Sequence, residues 1–226
     1  HLLAYPFPTI KAYDPAFAYE LAVIIRDGIK RMYVDQEDIF YYLTIMNESY
    51  PQPKMPKGVE DGIIKGLYPF KKSRKKEAKH HVQLMGSGAI LNMVIDAQKI
   101  LEEKYDVAAS VWSVTSYKEL HYDGIKADRH NMLNPGKKKT VPYVSQVFKD
   151  AKGIFVAASD YVRALPESIS KWIPGPLYSL GTDGFGRSDG RRNLRHFFEV
   201  DERYLVIAEL NGLAEQGEIK AEVVKK

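Results

Sequence analysis

The residues best suited to chemistry lie in one Gly-rich and Arg-rich segment, residues 181–195. Four glycines and two aspartates fall within residues 181–190, which excludes a regular strand or helix and predicts an ordered turn with several positive φ angles. Arginines follow at once, and guanidinium groups bind carboxylates or phosphates in a bidentate manner. The segment could therefore hold an anionic ligand, form an internal salt-bridge network or contact a second subunit. Five of its residues are interface candidates: Asp183, Arg187, Asp189, Arg191 and Arg195.

A second candidate is the turn Gly86-Ser87-Gly88, which follows a predicted strand and precedes a predicted helix. In α/β folds such a turn can bind phosphate through the free amides at the helix N-terminus. However, Leu91 replaces the third glycine of the dinucleotide-binding pattern, and no acidic residue ends the next strand at Val114. A close strand-to-helix turn is therefore favoured over a nucleotide site.

Composition limits the class of protein further. The chain has 226 residues, 45% hydrophobic and 27% charged, and the longest apolar runs are too short for a membrane span. It contains no cysteine, which excludes disulfides and thiolate metal sites and is compatible with the cytoplasm. The net charge of +4 comes largely from lysine clusters at 71–76 and 137–139. Because no aromatic residues interleave them, solvated loops are favoured over a nucleic-acid site.

The elements that must position these residues follow from periodicity and turn signals. Asp14 as N-cap and helical spacing of apolar residues predict a helix from Asp14 to about Tyr33, and a strand is predicted at 39–45. Three prolines within 51–56 predict a linker over 51–78, and 116–141 is expected to be a long connection. The remaining chain alternates strands (82–85, 107–114, 153–158, 177–180) with helices (90–105, 159–172, 201–215), which predicts a three-layer α/β domain.

Five segments resemble one family in one order along the chain: 13–20, 41–48, 84–88, 113–116 and 181–189. The last, followed by Asn193-Leu194-Arg195-His196, is the most specific. The chain resembles the C-terminal part of the homodimeric pyruvate dehydrogenase (acetyl-transferring) component, a thiamine-diphosphate enzyme of the transketolase superfamily. The resemblance covers essentially all of the chain, and the family's own polypeptide is several times longer.

This resemblance implies a fold and a domain division. Residues 1–50 are expected to be the end of the pyrimidine-binding (middle) domain, 51–78 a linker, and 79–226 a transketolase-type C-terminal domain. In that superfamily the C-terminal domain is a mostly parallel sheet of about five strands with one antiparallel edge, flanked by helices. The α/β pattern read from the residues agrees with this expectation.

The resemblance also implies a function. The whole enzyme is expected to decarboxylate pyruvate with thiamine diphosphate and magnesium, and to pass the acetyl group to the lipoyl group of a dihydrolipoamide acetyltransferase. It is expected to be a cytoplasmic homodimer that binds neither nucleic acid nor membrane. The cofactor is expected to lie outside this chain, which would be a scaffold, inactive alone. His1 is the catalytic candidate, as the last histidine of an active-site loop.

Two further readings stay open from the sequence. The segment Gly181-Thr182-Asp183-Gly184 is similar to the motif that holds magnesium diphosphate in thiamine enzymes, but its partner Asn211 lies in an amphipathic helix, which argues against a cofactor site. The alternatives to the scaffold are a free-standing anion-binding α/β module and a transketolase-type enzyme that acts on another 2-oxo acid.

Overall fold

The chain folds around two β-sheets, and the computed structural model describes residues 1–75 and 77–225. The strands are β1 (Ile10–Tyr13), β2 (Phe40–Leu43), β3 (Leu67–Lys71), β4 (His80–Gly86), β5 (Val107–Val114), β6 (Ile154–Ala158) and β7 (Leu177–Leu180). The helices are α1 (Ala18–Ile29), α2 (Glu60–Lys65), α3 (Leu91–Lys104), α4 (Tyr117–Leu133), α5 (Tyr143–Val147), α6 (Ala164–Glu167), α7 (Arg191–Phe197) and α8 (Glu202–Glu215). In the described residues no helix is long and apolar enough to span a bilayer.

The larger sheet has the strand order β3-β5-β4-β6-β7, and β1 pairs with β2 in a separate parallel pair. Strands β4 to β7 run parallel, while β3 lies antiparallel at one edge beside β5. The short turn after β4 leads into α3, which returns the chain to the adjacent β5 as a helical crossover between parallel strands. The predicted mostly parallel, five-stranded α/β architecture with one antiparallel edge is confirmed.

Helices cover both faces of this sheet, so that its strands are buried on both sides. On one face, α3 and α8 pack through residues such as Val94 and Leu210 against Leu84 and Val156. On the other face, α4 and α5 pack with α6 over Met85 and Phe155. A third, smaller core joins α1, α2 and β1. The N-terminal pair of strands is therefore packed against the larger unit.

Helix α1 begins at Ala18, four residues after the predicted start at Asp14, and continues as a π-helical turn over Lys30–Val34. The reason for the late start is Glu20, whose carboxylate accepts hydrogen bonds from the backbone amides of Ala16 and Phe17. Asp14 is therefore not a helix cap. It lies buried between the two sheets, where only 5% of its surface is exposed.

Three other expectations about local structure were wrong. The helix predicted over 159–172 is limited to the four-residue α6, which a 3-10 turn follows at Ser170–Trp172. The predicted linker over 51–78 contains helix α2 and edge strand β3, so the segment without helix or strand is 44–59. The predicted connection over 116–141 contains the 17-residue helix α4, with the Ser116 hydroxyl accepting from the Glu119 amide at its start. Most of α4 is polar, which hides its helical periodicity from sequence.

Candidate functional site

Several polar residues gather where strands of both sheets end. Asp14 follows β1, Thr44 follows β2, Ser87 follows β4 and Asp160 lies two residues after β6. The Gly-rich segment follows β7 at the same edge. The carboxyl ends of parallel strands are where α/β proteins usually build their sites. This edge is also where residues 1–50 meet the larger sheet.

Two of the five interface candidates attach α7 to the N-terminal part of the chain. Arg195 makes a bidentate ion pair with Glu48, at 3.0 and 2.5 Å from the guanidinium nitrogens to the carboxylate oxygens. Arg191 donates to the backbone oxygen of Asn47 at 3.0 Å and to its side-chain oxygen. These contacts join residues more than 140 positions apart in sequence. Within this chain Arg191 and Arg195 therefore pair with Glu48, and not with the acidic residues near them in sequence.

The other three candidates have local partners. Asp183 accepts a hydrogen bond from Arg163 Nε at 2.5 Å. Asp189 Oδ1 accepts from the amide of Gly190 at 2.6 Å, at the start of α7. Arg187 lies over the ring of Phe197, 5.4 Å from its centroid. Arg191 and Arg195 thus both contact the segment Asn47-Glu48. Within the described chain Asp183 and Asp189 make no ion pair with these arginines and have local partners.

A cavity of about 410 Å³ lies between these elements. Its charged walls are Glu48, Asp160, Arg187, Arg191 and Arg195. Burial raises the pKa of Asp160, and the charge of Arg195 opposes that rise. Because Glu48 pairs with Arg191 and Arg195, two of the three guanidinium groups in the wall already have an acidic partner, whereas Arg187 lies over Phe197.

His1 is partly buried and held on three sides. Its Nε2 lies 2.9 Å from the hydroxyl of Thr44. The rings of Tyr161 and Tyr42 contact its imidazole edge-on, with centroids 4.7 and 5.5 Å away. Thr44 in turn donates to Asp14 Oδ1 at 2.8 Å. The side chain of His1 is therefore connected to a buried carboxyl through a single hydroxyl.

The turn Gly86-Ser87-Gly88 is filled by this same aspartate. The amide of Gly88 donates to the backbone oxygen of Asp14 at 3.0 Å. A Cβ at position 88 would lie 2.7 Å from Asp14 Oδ2, and Gly88 has a φ of +52°. Glycine is therefore needed here both for space and for its positive φ. Since a protein carboxyl lies against the turn that a phosphate could have used, the preferred reading as a close strand-to-helix turn agrees with the contacts.

A second buried carboxyl, Glu20, joins the N-terminal segment to the larger sheet. Glu20 Oε1 accepts from the hydroxyls of Tyr68 on β3 and Ser113 on β5, each at 2.6 Å. Burial raises its pKa, and these hydroxyl donors oppose the rise. Nearby, Ser116 Oγ donates to the backbone oxygen of Ala12 at 2.6 Å. The two parts of the chain therefore share buried hydrogen bonds as well as apolar surface.

Both ends of the thiamine-like motif, Asp183 and Asn211, have partners within the described chain. Within 1–75 and 77–225 no group of three or more His, Asp or Glu residues is arranged to hold a metal ion. Asp183 pairs with Arg163, and Asn211 donates to Glu215 at 2.9 Å.

Sequence reasoning did not single out Asp14, Thr44, Glu20 or Glu48 as site residues. Asp14 had an adequate local explanation as a helix cap, and nothing in the sequence marks it as buried. Glu48 does occur in a segment that carries the family resemblance, 41–48, which is the one signal that could have pointed to it. The pairing partner of Arg195 is a property of the tertiary structure.

Two family models match the chain. A model for the transketolase-like C-terminal domain matches residues 66–201, and a model for the pyruvate dehydrogenase E1 component middle domain matches residues 1–53. The first begins one residue before β3. The boundary between the two matches thus falls in the segment that contains α2.

Curated relatives are similar along the whole chain. The pyruvate dehydrogenase E1 component of Pseudomonas aeruginosa is 51% identical over 225 residues, covering 99% of this chain and 25% of the relative. The E1 component of Escherichia coli K12 is 48% identical over 226 residues, with the same shares. The chain therefore spans about a quarter of the length of these relatives.

Solved structures share the fold at low sequence identity. A transketolase of Pichia stipitis in complex with sedoheptulose-7-phosphate superposes with a TM-score of 0.64 at 14% identity, over 96% of this chain and 27% of that one. The transketolase of Campylobacter jejuni gives a TM-score of 0.62 at 18% identity, over 93% and 27%. These similarities concern the fold alone.

Proposed function

This chain belongs to the family of transketolase-like C-terminal domains and is homologous to pyruvate dehydrogenase E1 components, and on that premise we propose that its natural polypeptide oxidatively decarboxylates pyruvate. The natural polypeptide here means the complete protein in which the chain occurs. The observation that carries the proposal is the identity of about half of all residues to E1 components, sustained along the whole chain. The acetyl group would pass to the lipoyl group of a dihydrolipoamide acetyltransferase.

The chain's own contribution to that activity is structural. Residues 1–53, which match the middle-domain model, are joined to the larger sheet by the Arg195–Glu48 ion pair and by buried hydrogen bonds of Glu20. A rigid junction of this kind can hold the middle domain at a constant position, because breaking buried charged contacts is costly. Arg191 and Arg195 are therefore proposed to maintain a domain junction. Asp183, Arg187 and Asp189, whose contacts are local, are proposed to contact other parts of the natural polypeptide or a second copy.

Thiamine diphosphate and magnesium are proposed to bind the natural polypeptide outside this chain. Support comes from the contacts of the motif in the described residues, where Asp183 pairs with Arg163 and Asn211 donates to Glu215. When bound, the cofactor would supply the carbanion-stabilising chemistry for loss of carbon dioxide. His1 is proposed as the residue of this chain that contributes to the active site.

Homodimerisation belongs to the same proposal. Several apolar side chains of the N-terminal part stay exposed within this chain, among them Ile29, Tyr33, Val34 and Phe40. A two-stranded sheet is too small to be stable by itself, so β1 and β2 need further strands or surfaces. The remainder of the middle domain is proposed to cover part of this apolar surface and a second copy another part, in a cytoplasmic homodimer. Sedimentation of the natural polypeptide and cell fractionation test these points.

The domain division is proposed as 1–50 for the end of the middle domain and 79–226 for the body of the C-terminal domain. The segment 51–58 is mostly exposed and lacks helix or strand. Limited proteolysis of the natural polypeptide is therefore expected to cut first within 51–58. First cuts within β3 or α2 would contradict the assignment of the linker to this position.

The activity is tested with the natural polypeptide, thiamine diphosphate, magnesium and pyruvate, with ferricyanide as electron acceptor. We expect pyruvate-dependent reduction of ferricyanide, and acetylation of an added lipoyl domain detected by mass spectrometry. Turnover of a different 2-oxo acid in preference to pyruvate would overturn the substrate assignment. Failure to acetylate the lipoyl domain would overturn the partner.

The location of the cofactor site has its own test. The Asp183→Asn substitution is expected to leave the calorimetric affinity of the natural polypeptide for thiamine diphosphate with magnesium unchanged within twofold, because Asp183 pairs with Arg163. A loss of tenfold or more would show that the motif at 181–184 holds the cofactor after all.

A further inference from the structure

The buried carboxyl of Asp14 makes its one short hydrogen bond to Thr44, and the hydroxyl of Ser87 lies near enough to lower its pKa. Oδ1 accepts from the hydroxyl of Thr44 at 2.8 Å, whereas Oδ2 has no hydrogen-bond partner among the described residues. A Cβ at position 88 would lie 2.7 Å from Oδ2, so the carboxyl lies close to the turn and only glycine fits beside it. A buried carboxyl held toward a single hydroxyl, at the edge of the sheets where sites form, needs an explanation beyond packing.

The hydroxyl of Thr44 lies between this carboxyl and His1, and the position of its hydrogen decides which of the two accepts from it. A hydroxyl has one hydrogen to donate and can accept with its lone pairs. Thr44 Oγ1 lies 2.8 Å from Asp14 Oδ1 and 3.4 Å from the backbone oxygen of Tyr13, and the shorter contact, to the carboxyl oxygen, takes the hydrogen. Thr44 is then an acceptor toward His1 Nε2, 2.9 Å away. Neutral His1 must therefore carry its proton on Nε2.

The surroundings of Asp14, Thr44 and His1 keep their hydrogen-bonded side chains in place. Tyr161 and Tyr42 enclose the imidazole, as described above, and leave little freedom for a ring flip. The titratable groups that face Asp14 are Glu20 and Asp160, whose charges oppose its ionisation, together with Tyr117, Tyr161 and His1. Burial raises the pKa of Asp14 to about 7, against the opposing effect of the hydroxyls of Thr44 and Ser87. A pH above this value favours the ionised carboxyl.

We propose that Asp14 is a positioning residue which, through the hydroxyl of Thr44, holds the imidazole of His1 in the Nε2–H tautomer and leaves Nδ1 as its proton-accepting nitrogen. The proposal rests on the proposed function in one respect, the contribution of His1 to the active site. A histidine acts as a base or hydrogen-bond acceptor through the nitrogen that lacks hydrogen, so the partner of the other nitrogen decides which atom reacts. In this chain that partner is Thr44, and the charge of Asp14 directs the hydrogen of Thr44.

The first test reads the tautomer directly, independently of activity. The natural polypeptide is labelled with ¹⁵N-histidine and studied by magic-angle-spinning NMR at pH 8, with His1→Gln used to assign the His1 signals. The Nε2–H tautomer is expected in the unaltered protein and in Thr44→Ser, which keeps the hydroxyl. In Thr44→Val the preference is expected to be lost. The same tautomer in Thr44→Val as in the unaltered protein would overturn the proposal.

A second variant covers the possibility that Thr44→Val does not fold, since it leaves Asp14 buried without its hydroxyl. The double substitution Asp14→Leu/Thr44→Val removes donor and acceptor together, which avoids an unpaired polar group. It is expected to show the same loss of tautomer preference. An unchanged Nε2–H tautomer in this variant would equally overturn the proposal.

Kinetics then separate the positioning role from the proposed function. We expect kcat/KM for pyruvate to fall about tenfold in Thr44→Val, the effect of losing roughly one hydrogen bond's preference for one tautomer, and to stay within twofold in Thr44→Ser. In one outcome the tautomer of His1 changes in Thr44→Val while neither Thr44→Val nor His1→Gln alters kcat/KM. That result would support the positioning role of Asp14 and would show that the proposed contribution of His1 to the active site is wrong. An unresponsive tautomer removes the positioning role whatever the kinetics show.

Discussion

Replacing Arg195 tests the proposed domain junction most directly. Helix α7 has no fully buried residue, so its attachment depends on few contacts. The ion pair of Arg195 with Glu48 is the most enclosed of these, with 12% and 21% of the two side chains exposed. Because charged hydrogen bonds in partly buried positions contribute more than exposed pairs, this one contact should dominate the local stability of α7.

The size of the effect follows from the geometry. Removing one partner of a charged hydrogen bond costs about 1.5–3 kcal/mol. Arg191 Nε lies 3.7 Å from the same Glu48 carboxylate and retains part of the interaction in Arg195→Gln. We therefore expect a loss of about 2 kcal/mol, which raises the equilibrium constant for local opening of α7 about 30-fold.

Hydrogen–deuterium exchange of the natural polypeptide measures this opening. The informative amides are those of Leu194, Phe198 and Val200, which donate within or next to α7. Arg195→Gln and Glu48→Gln should each accelerate their exchange about 30-fold, and the double variant should add little, as expected for two residues in one contact. Arg192→Gln, at an exposed position of the same helix, is the matched control. Exchange within twofold of the unaltered protein in Arg195→Gln would refute the reasoning.

Two further predictions concern stability, measured as unfolding midpoints of the natural polypeptide. Both carboxyl oxygens of Glu209 are buried without a hydrogen-bond partner in the described chain, and burial raises its pKa well above 4.5. The folded state therefore retains a proton that the unfolded state releases, and the free energy of unfolding falls as the pH rises above 4.5, the ordinary pKa of glutamate. Glu209→Met should stabilise the folded protein by about 1–3 kcal/mol at pH 8 and by less at pH 5. The control Glu202→Met, on the same helix, should not stabilise it. A stabilisation by Glu209→Met that does not grow with pH would contradict the raised pKa of Glu209. In Gly124→Ala the new Cβ would lie 2.5 Å from the ring of Trp172, so a loss of about 1–3 kcal/mol is expected. Gly186→Ala meets nothing within 4 Å and should be neutral; equal effects of the two would show that the contact with the indole is unimportant.

Much of the larger sheet could be predicted from sequence. Strand β5 was expected at 107–114 and lies at Val107–Val114, because a run of small and β-branched residues between a helix end and a polar turn has few other interpretations. Helix α4 could not be predicted, since its polar faces and Gly124 hide the helical pattern. Helix α2 and strand β3 were missed because prolines and lysines around them dominate the local composition.

For the candidate site, sequence indicated a region and not its contacts. The Gly-rich turn and the arginines that follow were recognised from composition alone, but Asp183 and Asp189 were grouped with Arg191 and Arg195, which have different partners. Asp14 was interpreted through its nearest neighbours in sequence. In the structure its neighbours are Thr44 and Gly88, 30 and 74 residues further along the chain.

The sequence by itself determined the family, the alternation of strands and helices and the positions where the backbone must turn, because these depend on side-chain type and spacing within a few residues. Only the tertiary structure decided which acid meets which arginine, that Asp14 fills the turn after β4, and that one hydroxyl joins Asp14 to His1. Such pairings depend on the order of strands in the sheets, which brings distant residues to a common edge. They also depend on burial, which determines whether a carboxyl behaves as a solvated charge or as a proton-holding group.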